Sequence, residues 1–183
     1  MIDEIQLVKA VLEGDDRAFE DLVRQYEKLV FHILNRFIPN NEQKEDLAQE
    51  VFIKIYQRLK TFRFQSKLST WIGKITYLTI VDHLKKHNAF EMVNFEDTSE
   101  LHHYTFENPE CVLVQKDLSR FINEAIQNLP INLRMVLTLY HLNEFSYKEI
   151  ETITGWPEGT IKSHLFRGRR MLKEKLKNLS YLR

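Results

Sequence analysis

Apolar side chains recur every three or four residues through both ends of this chain, and such spacing predicts amphipathic helices. Glycine and proline, which interrupt helices, number only 5 and 4 among 183 residues. Their scarcity also disfavours a turn-rich β fold. We therefore expect an all-α protein. The Gly14-Asp15-Asp16 and Pro39-Asn40-Asn41 segments are the expected breaks between its first helices.

The helical spacing is lost over residues 87–114, which are acidic and contain the turn signal Asn108-Pro109. It resumes from Cys111. This interruption predicts two small helical domains, residues 1–90 and 115–183, joined by a flexible linker over 91–114. Neither domain is long enough for a large core.

Several features indicate a cytoplasmic protein. Cys111 is the only cysteine, so the chain has no internal disulfide, which suits a reducing compartment. The acidic, amphipathic N-terminus does not resemble a signal peptide. No apolar run approaches the ~18 residues of a membrane span, so we expect no insertion into a membrane.

The net charge of zero conceals strongly charged blocks. Residues 51–90 hold 8 basic and 1 acidic side chains, and residues 158–183 hold 8 and 2. Acidic segments lie between them. Because the surface field depends on charge within a Debye length of roughly 8 Å, two basic faces predict two contacts on one polyanion.

The C-terminal basic block has the pattern of a helix-turn-helix. Ser146 and Glu149 have capping-box spacing, Gly155-Trp156-Pro157 forms the turn, and a second helix follows from about Glu158. Its outward side chains are candidates for contacts with bases and phosphates: Thr160, Lys162, Ser163, Arg167 and Arg170. The alternative is a solvated basic face on a core helix.

The N-terminal basic block interleaves cations with aromatic rings, a combination that suits unpaired nucleic-acid bases. Phe52 and Tyr56 are expected in the core. Phe62 and Phe64 flank a loop and are the better candidates for base contacts, and Trp71 could serve either purpose. The acidic helix start at Asp46–Glu50 suits the helix dipole, and a partner surface is its other interpretation.

Motifs typical of catalysis or of phosphate and metal binding are absent from the sequence. It contains no phosphate-binding glycine loop, catalytic triad spacing or metalloprotease motif. His83 and His87 share a helix face but lack a third ligand. We therefore expect a protein that is not an enzyme and that holds no metal or cofactor.

Together these segments resemble the extracytoplasmic-function (ECF) class of sigma factors in the sigma-70 family. The resemblance lies in DLAQEVFIKIYQRLKTFRFQSKLSTWIGKIT (46–76), NPE (108–110) and LPINLRMVLTLYHLNEFSYKEIETITGWPEGTIKSHLFRGRRMLKEKL (129–176). It implies a sigma factor that binds core RNA polymerase, recognises the −10 and −35 promoter elements and promotes DNA melting. The alternative is a helix-turn-helix regulator that binds an operator without acting as a sigma subunit.

The resemblance also implies partners and residue roles. The partners are the β′ and β subunits of core polymerase, promoter DNA and an anti-sigma factor. The implied polymerase contacts are Asp46, Gln49 and Glu50, which face the β′ subunit. The implied −10 contacts are Phe62, Arg63, Phe64, Lys67, Trp71 and Lys74. The implied −35 contacts are Thr160, Lys162, Ser163, Phe166, Arg167 and Arg170.

Three positions depart from the family pattern. Leu78 replaces a common asparagine, which puts the −10 base preference in doubt. His164 replaces a common arginine, so we expect a weaker phosphate contact. Gly168 lies on the apolar stripe of its helix, which allows close helix packing, but it replaces a common alanine, and for that reason looser packing is the expectation there.

Overall fold

The computed structural model describes residues 4–86 and 122–180, and all regular structure in these ranges is helical, as predicted. The first part contains α1 (Glu4–Leu12), α2 (Asp16–Leu34), α3 (Asn41–Arg58), a 3₁₀ turn (Leu59–Thr61) and α4 (Leu68–Lys86). The second contains helical residues 122–127, α5 (Ile131–Leu137), a π-helical turn (Thr138–Leu142), α6 (Tyr147–Thr154) and α7 (Glu158–Ser180). The predicted linker 91–114 lies outside the described residues.

The first helices begin and end where the sequence predicts. Asp15 caps α2, its carboxylate accepting the backbone N–H of Arg17 at 2.9 Å. Asn40 caps α3 in the same way through the N–H of Gln43 at 3.0 Å. Such caps satisfy backbone donors that have no partner inside the helix. The predicted breaks at Gly14 and Pro39 are therefore confirmed.

Helix α4 is covered on several sides and is the central element of the first domain. Its residues Ile72 and Ile80 are fully buried. Thr76 and Thr79 are also buried, and their hydroxyls donate to the carbonyls of Ile72 and Ile75, which avoids the cost of an unpaired polar group. Tyr56, expected in the core, is instead half exposed, and its ring meets Phe19 edge-on at 4.9 Å.

The two domains contact each other along α4 and α6, which the sequence does not predict. Gly73 of α4 lies so close to α6 that a Cβ there would be 3.1 Å from Ile153 Cδ1. At one end of this contact, Lys67 and Glu149 form an ion pair at 3.0 Å. The described parts of both domains therefore share one continuous apolar core. We call this contact the α4–α6 seam.

Arg134 makes a second contact between the domains. Its guanidinium donates to the backbone carbonyl of Arg36 at 3.0 Å and lies 5.5 Å from the centre of the Phe37 ring. Burial lowers the pKa of Arg134 to about 10. Its guanidinium also donates to the Leu129 carbonyl at 2.8 Å, so two backbone carbonyl dipoles face this charge.

Gly168 lies where α7 packs against α5. A Cβ there would be 2.8 Å from Leu137 Cδ1 and 3.5 Å from Leu133 Cβ. Leu137 is buried, so it has little room to move. The expectation of looser packing at Gly168 is therefore wrong, because the glycine permits a close approach of the two helices.

We expect Gly168→Ala to lower the free energy of unfolding by about 1 kcal/mol. Overpacking a core costs ~1–3 kcal/mol, which exceeds the ~1 kcal/mol that alanine gains in helix propensity. Gly159→Ala is the matched control, because it makes the same change in the same helix with nothing within 4 Å of the new methyl group. Urea unfolding of both variants measures the difference, and equal stabilities would contradict the close packing.

Candidate nucleic-acid interface

Helices α6 and α7 form the predicted helix-turn-helix. The Ser146 N–H donates to Glu149 Oε2 at 2.8 Å, and the Glu149 N–H donates back to Ser146 Oγ at 3.4 Å, which completes the capping box. Gly155 ends α6 with φ +78, a conformation that favours glycine. Trp156 then turns inward and is buried. These contacts fix the direction in which α7 leaves the turn.

One face of α7 is anchored and the other is open. Ile161 and Leu165 are buried against the domain core. Because α7 cannot rotate without exposing them, its outer face is fixed. Of the predicted −35 residues, Lys162, Phe166, Arg167 and Arg170 are exposed, and Thr160 and Ser163 are half-buried beside them. The structure thus brings the six predicted residues onto one surface.

Lys162 is held from two sides. Its ammonium lies 2.6 Å from the Glu158 carboxylate and 5.4 Å from the centre of the Tyr147 ring. The hydrogen bond with Glu158 raises the pKa of Lys162 and lowers the pKa of Glu158. Sequence reasoning missed both partners, although the four-residue spacing of Glu158 and Lys162 was the available signal.

Arg169 is a further cation on this domain that sequence reasoning missed. Its Nε–H donates to His141 Nε2 at 3.0 Å, and its guanidinium lies 5.4 Å from the centre of the Tyr140 ring. Burial and the charge of Arg169 both lower the pKa of His141, which keeps that imidazole a neutral acceptor. The Tyr140 ring also stacks on Tyr147 at 5.1 Å between ring centres. Because Lys162 lies over the Tyr147 ring, the two stacked rings connect Arg169 to Lys162.

His164, which departs from the family pattern, is half-buried beneath the turn. Its ring meets Trp156 edge-on at 5.2 Å. Burial, and then the charge of Arg167, lower the pKa of His164. The side chain is therefore neutral at physiological pH and supplies no cation, unlike the arginine common at this position. A weaker phosphate contact here stays a prediction.

The loop over residues 62–67 carries an aromatic cluster. The Phe62 ring is buried and lies 4.8 Å from Phe64 and 5.4 Å from Trp71, measured between ring centres. Phe64 is 46% exposed and has φ +56, a backbone strain of roughly 1–3 kcal/mol for such a residue. Strain of this kind concentrates at functional sites. The exposed aromatic surface of this loop is therefore Phe64, with Trp71 half-buried beside it.

Phe62 is the buried member of this cluster, and its ring packs against both Phe64 and Trp71. Its predicted contact with bases stays a prediction, and such a contact would need the ring to leave the core. The predicted cations Arg63 and Lys74 are both exposed near the cluster. Leu78, where the family commonly has asparagine, is 40% exposed one turn further along α4.

Lys67 is the predicted −10 residue that contacts the other domain. Its partner Glu149 also accepts a hydrogen bond from the Thr70 hydroxyl at 3.3 Å. Burial raises the pKa of Glu149, but hydrogen bonds from Ser146 and the contact with Lys67 outweigh it and bring the pKa to about 2. Glu149 therefore serves the capping box and the α4–α6 seam at once.

The predicted polymerase contacts form an acidic face on α3. Asp46, Gln49 and Glu50 are all exposed, whereas Leu47, Ala48 and Val51 on the other side of the helix are buried. Lys54 pairs with Glu50 at 2.7 Å and reaches Thr79 Oγ1 of α4 at 3.2 Å. Ile53, which is 50% exposed one turn further on, extends this face and was missed.

Other kinds of site have no support in the described part of the chain. Over residues 4–86 and 122–180, no group of three histidine, cysteine, aspartate or glutamate side chains could hold a metal ion. His87, one of the two histidines considered as a pair, lies outside these ranges. No helix among the described residues is long and apolar enough to cross a membrane.

Comparison with known families assigns both domains. The family model for sigma-70 region 2 matches residues 22–90, and the model for sigma-70 region 4 matches residues 122–172. An ECF RNA polymerase sigma-E factor of Escherichia coli K12 is 34% identical over 94% of each chain. An RNA polymerase sigma-H factor of Pseudomonas aeruginosa is 33% identical, covering 95% of this chain and 94% of its own.

The chain therefore belongs to the ECF sigma factors of the sigma-70 family. It is a transcription initiation factor, as the sequence predicted. The rival interpretation as an operator-binding regulator explains only the C-terminal half, whereas the region 2 match accounts for the N-terminal half as well.

Two solved structures share the fold. CnrH, solved in complex with the cytosolic domain of CnrY, matches with a TM-score of 0.69 and 17% identity, covering 94% of this chain and 96% of its own. The sigma factor RpoE, solved with the anti-sigma factor NepR from Bartonella quintana, matches with a TM-score of 0.67 and 21% identity, covering 87% and 96%. At these identities the likeness supports the fold alone.

Proposed function

We propose that this sigma factor recognises the −10 element with the loop over residues 62–67 and the start of α4, and the −35 element with the outer face of α7. The observation that carries this proposal is the fixed orientation of α7, whose buried Ile161 and Leu165 leave its cations outward. A helix of this kind enters the major groove with its N-terminal half. The exposed Phe64 ring suits stacking on an unpaired base.

Core polymerase is the proposed partner of the acidic face on α3. Asp46, Gln49 and Glu50 contact the β′ subunit, and their exposure on a helix anchored by Leu47 and Val51 supports this assignment. The β subunit belongs to the same assembly. The protein acts in the cytoplasm, where polymerase meets DNA, and needs no catalytic group of its own because polymerase performs the chemistry.

The proposed functional units are residues 1–90 for polymerase and the −10 element and residues 115–183 for the −35 element, with 91–114 between them. Opening about four base steps costs roughly 6 kcal/mol at ~1.4 kcal/mol each. Stacking of one or two bases at ~1–3 kcal/mol apiece does not cover that cost. The sigma factor therefore melts DNA only within the polymerase complex.

An anti-sigma factor is the proposed regulator. Two basic surfaces on one small chain are easily covered together by one partner. CnrH and the RpoE of Bartonella quintana, which share the fold, were each solved with another protein, and for RpoE that protein is an anti-sigma factor.

Reconstitution with core polymerase tests the proposed function. The purified chain, core polymerase and a pool of DNA with random promoter sequences should yield transcripts from a subset sharing two elements. Neither component alone should yield them. A chain that binds DNA tightly without polymerase and yields no transcripts would instead be an operator-binding regulator.

A further inference from the structure

The C-terminal basic block contains two acidic residues, and each forms an ion pair with a cation four positions away. Within residues 158–183 these are Glu158 and Glu174, among 8 basic residues. Glu158 pairs with Lys162 at 2.6 Å, and Glu174 pairs with Arg170 at 3.2 Å. Sixteen positions separate the two carboxylates, which is about 24 Å along a helix. Only Glu158 lies in the first turn of α7, the part that enters the groove.

A carboxylate at this place weakens attraction to DNA. Glu158 cancels the charge of Lys162, one of the exposed cations on the surface that faces phosphates. Its side chain is 42% exposed, so it is not required to fill the core. The bases present two amino donors in the major groove, cytosine N4 and adenine N6, and a carboxylate favours cytosine because the adenine amino group lies beside the N7 acceptor.

Glu158 also orients Lys162. A free lysine side chain has high rotamer entropy, which it loses when its ammonium contacts a base. Here the ammonium is already held between the Glu158 carboxylate and the Tyr147 ring. The first turn of α7 therefore presents an acceptor and a donor side by side, and a G·C pair offers the complementary donor and acceptors on its major-groove edge.

We propose that Glu158 is a specificity-determining residue of the −35 contact, which accepts a hydrogen bond from a cytosine amino group and directs Lys162 to the neighbouring acceptor. This inference rests on the proposed assignment of α7 to the −35 element. On DNA with guanine or thymine at that position, the carboxylate faces acceptors and phosphates without a donor, and with adenine it also meets the N7 acceptor. Specificity then comes from repulsion of the wrong sequences as well as attraction of the right one.

The test compares Glu158→Gln with Glu174→Gln in holoenzyme on a library of promoters with randomised −35 elements. Both variants remove one negative charge from α7 and release one cation. Glu158→Gln should lower the preference for cytosine at one position by roughly tenfold and favour adenine there, because glutamine pairs with the N6 and N7 edge of adenine. Glu174→Gln releases Arg170, about 18 Å from Glu158 along α7, and should leave the preference for cytosine at that position unchanged.

A second measurement separates specificity from charge. Both variants should bind non-specific DNA more tightly than wild type, and the released Lys162 should steepen the salt dependence by about one phosphate contact. Unfolding midpoints of the two variants reveal any loss of helix stability, which would lower activity at all sequences alike.

The results separate this inference from the proposed function. If wild type shows a −35 preference and Glu158→Gln leaves it intact at every position, the role of Glu158 is refuted. If both glutamine variants alter the preference equally, charge alone acts and the role is likewise refuted. If wild type itself shows no −35 preference, the assignment of α7 fails, and the inference fails with it.

Discussion

Reversing the charge of the acidic face on α3 should abolish assembly with core polymerase. In the Asp46→Arg/Glu50→Arg variant, four units of charge change on a surface proposed to meet β′. A partner surface complementary to this acidic face is basic, and juxtaposing like charges across an interface costs several kcal/mol, so we expect affinity to fall by at least about a hundredfold. Both side chains are exposed, and the variant should keep its fold. Co-purification with core polymerase and direct titration measure the effect.

The matched control is Glu20→Arg/Glu27→Arg on α2. Both residues are exposed, and the change in charge is the same. This variant should bind core polymerase within a few-fold of wild type. If both double variants lose binding equally, net charge rather than the α3 face governs assembly, and if neither does, polymerase contacts another surface.

Removing the guanidinium of Arg167 should lower activity at the cognate promoter by about tenfold to a hundredfold and relax one −35 base preference. Arg167 is exposed on α7, two residues beyond the buried Leu165. An arginine that contacts guanine O6 and N7 discriminates by ~1–3 kcal/mol, and its loss affects one position. Transcription by Arg167→Ala holoenzyme from a randomised −35 library measures both effects.

Lys173→Ala is the companion variant, since Lys173 is also exposed but lies about 9 Å further along α7. A side chain at that distance from the groove reaches only phosphate. Its removal should weaken binding uniformly across sequences and reduce the salt dependence by about one contact. A base preference that changes with Lys173→Ala but not with Arg167→Ala would mean that α7 is oriented differently on DNA.

Local signals in the sequence predicted much of the fold. The Ser146–Glu149 capping box and the glycine at 155 act within a few residues, so their geometry follows from spacing alone. The stripe that places Ile161 and Leu165 in the core likewise predicted which face of α7 is open. The six predicted −35 residues share that face for this reason.

Features that depend on contacts between distant segments were not predictable. Phe62 lies in a loop without periodicity, so no pattern indicates that its ring turns inward. The effect of Gly168 depends on Leu137, 31 positions earlier in the chain. The helix that begins at Ile131 changes from α-helical to π-helical geometry at Thr138, which no local pattern indicates. Tertiary packing decides each of these cases.

The α4–α6 seam implies a thermodynamic cost for promoter binding. The positions that name the −10 and −35 elements differ by about 25 base pairs, which is about 85 Å of duplex at ~3.4 Å per base pair. Lys67 and Glu149, one from each domain, lie 3.0 Å apart. A molecule spanning both elements must therefore separate the seam first. Each ~1.4 kcal/mol by which the seam stabilises the form with the domains in contact reduces the apparent affinity for a full promoter tenfold. Polymerase that holds the two domains apart would remove this cost, and the apparent affinity of the sigma factor for the full promoter would then rise.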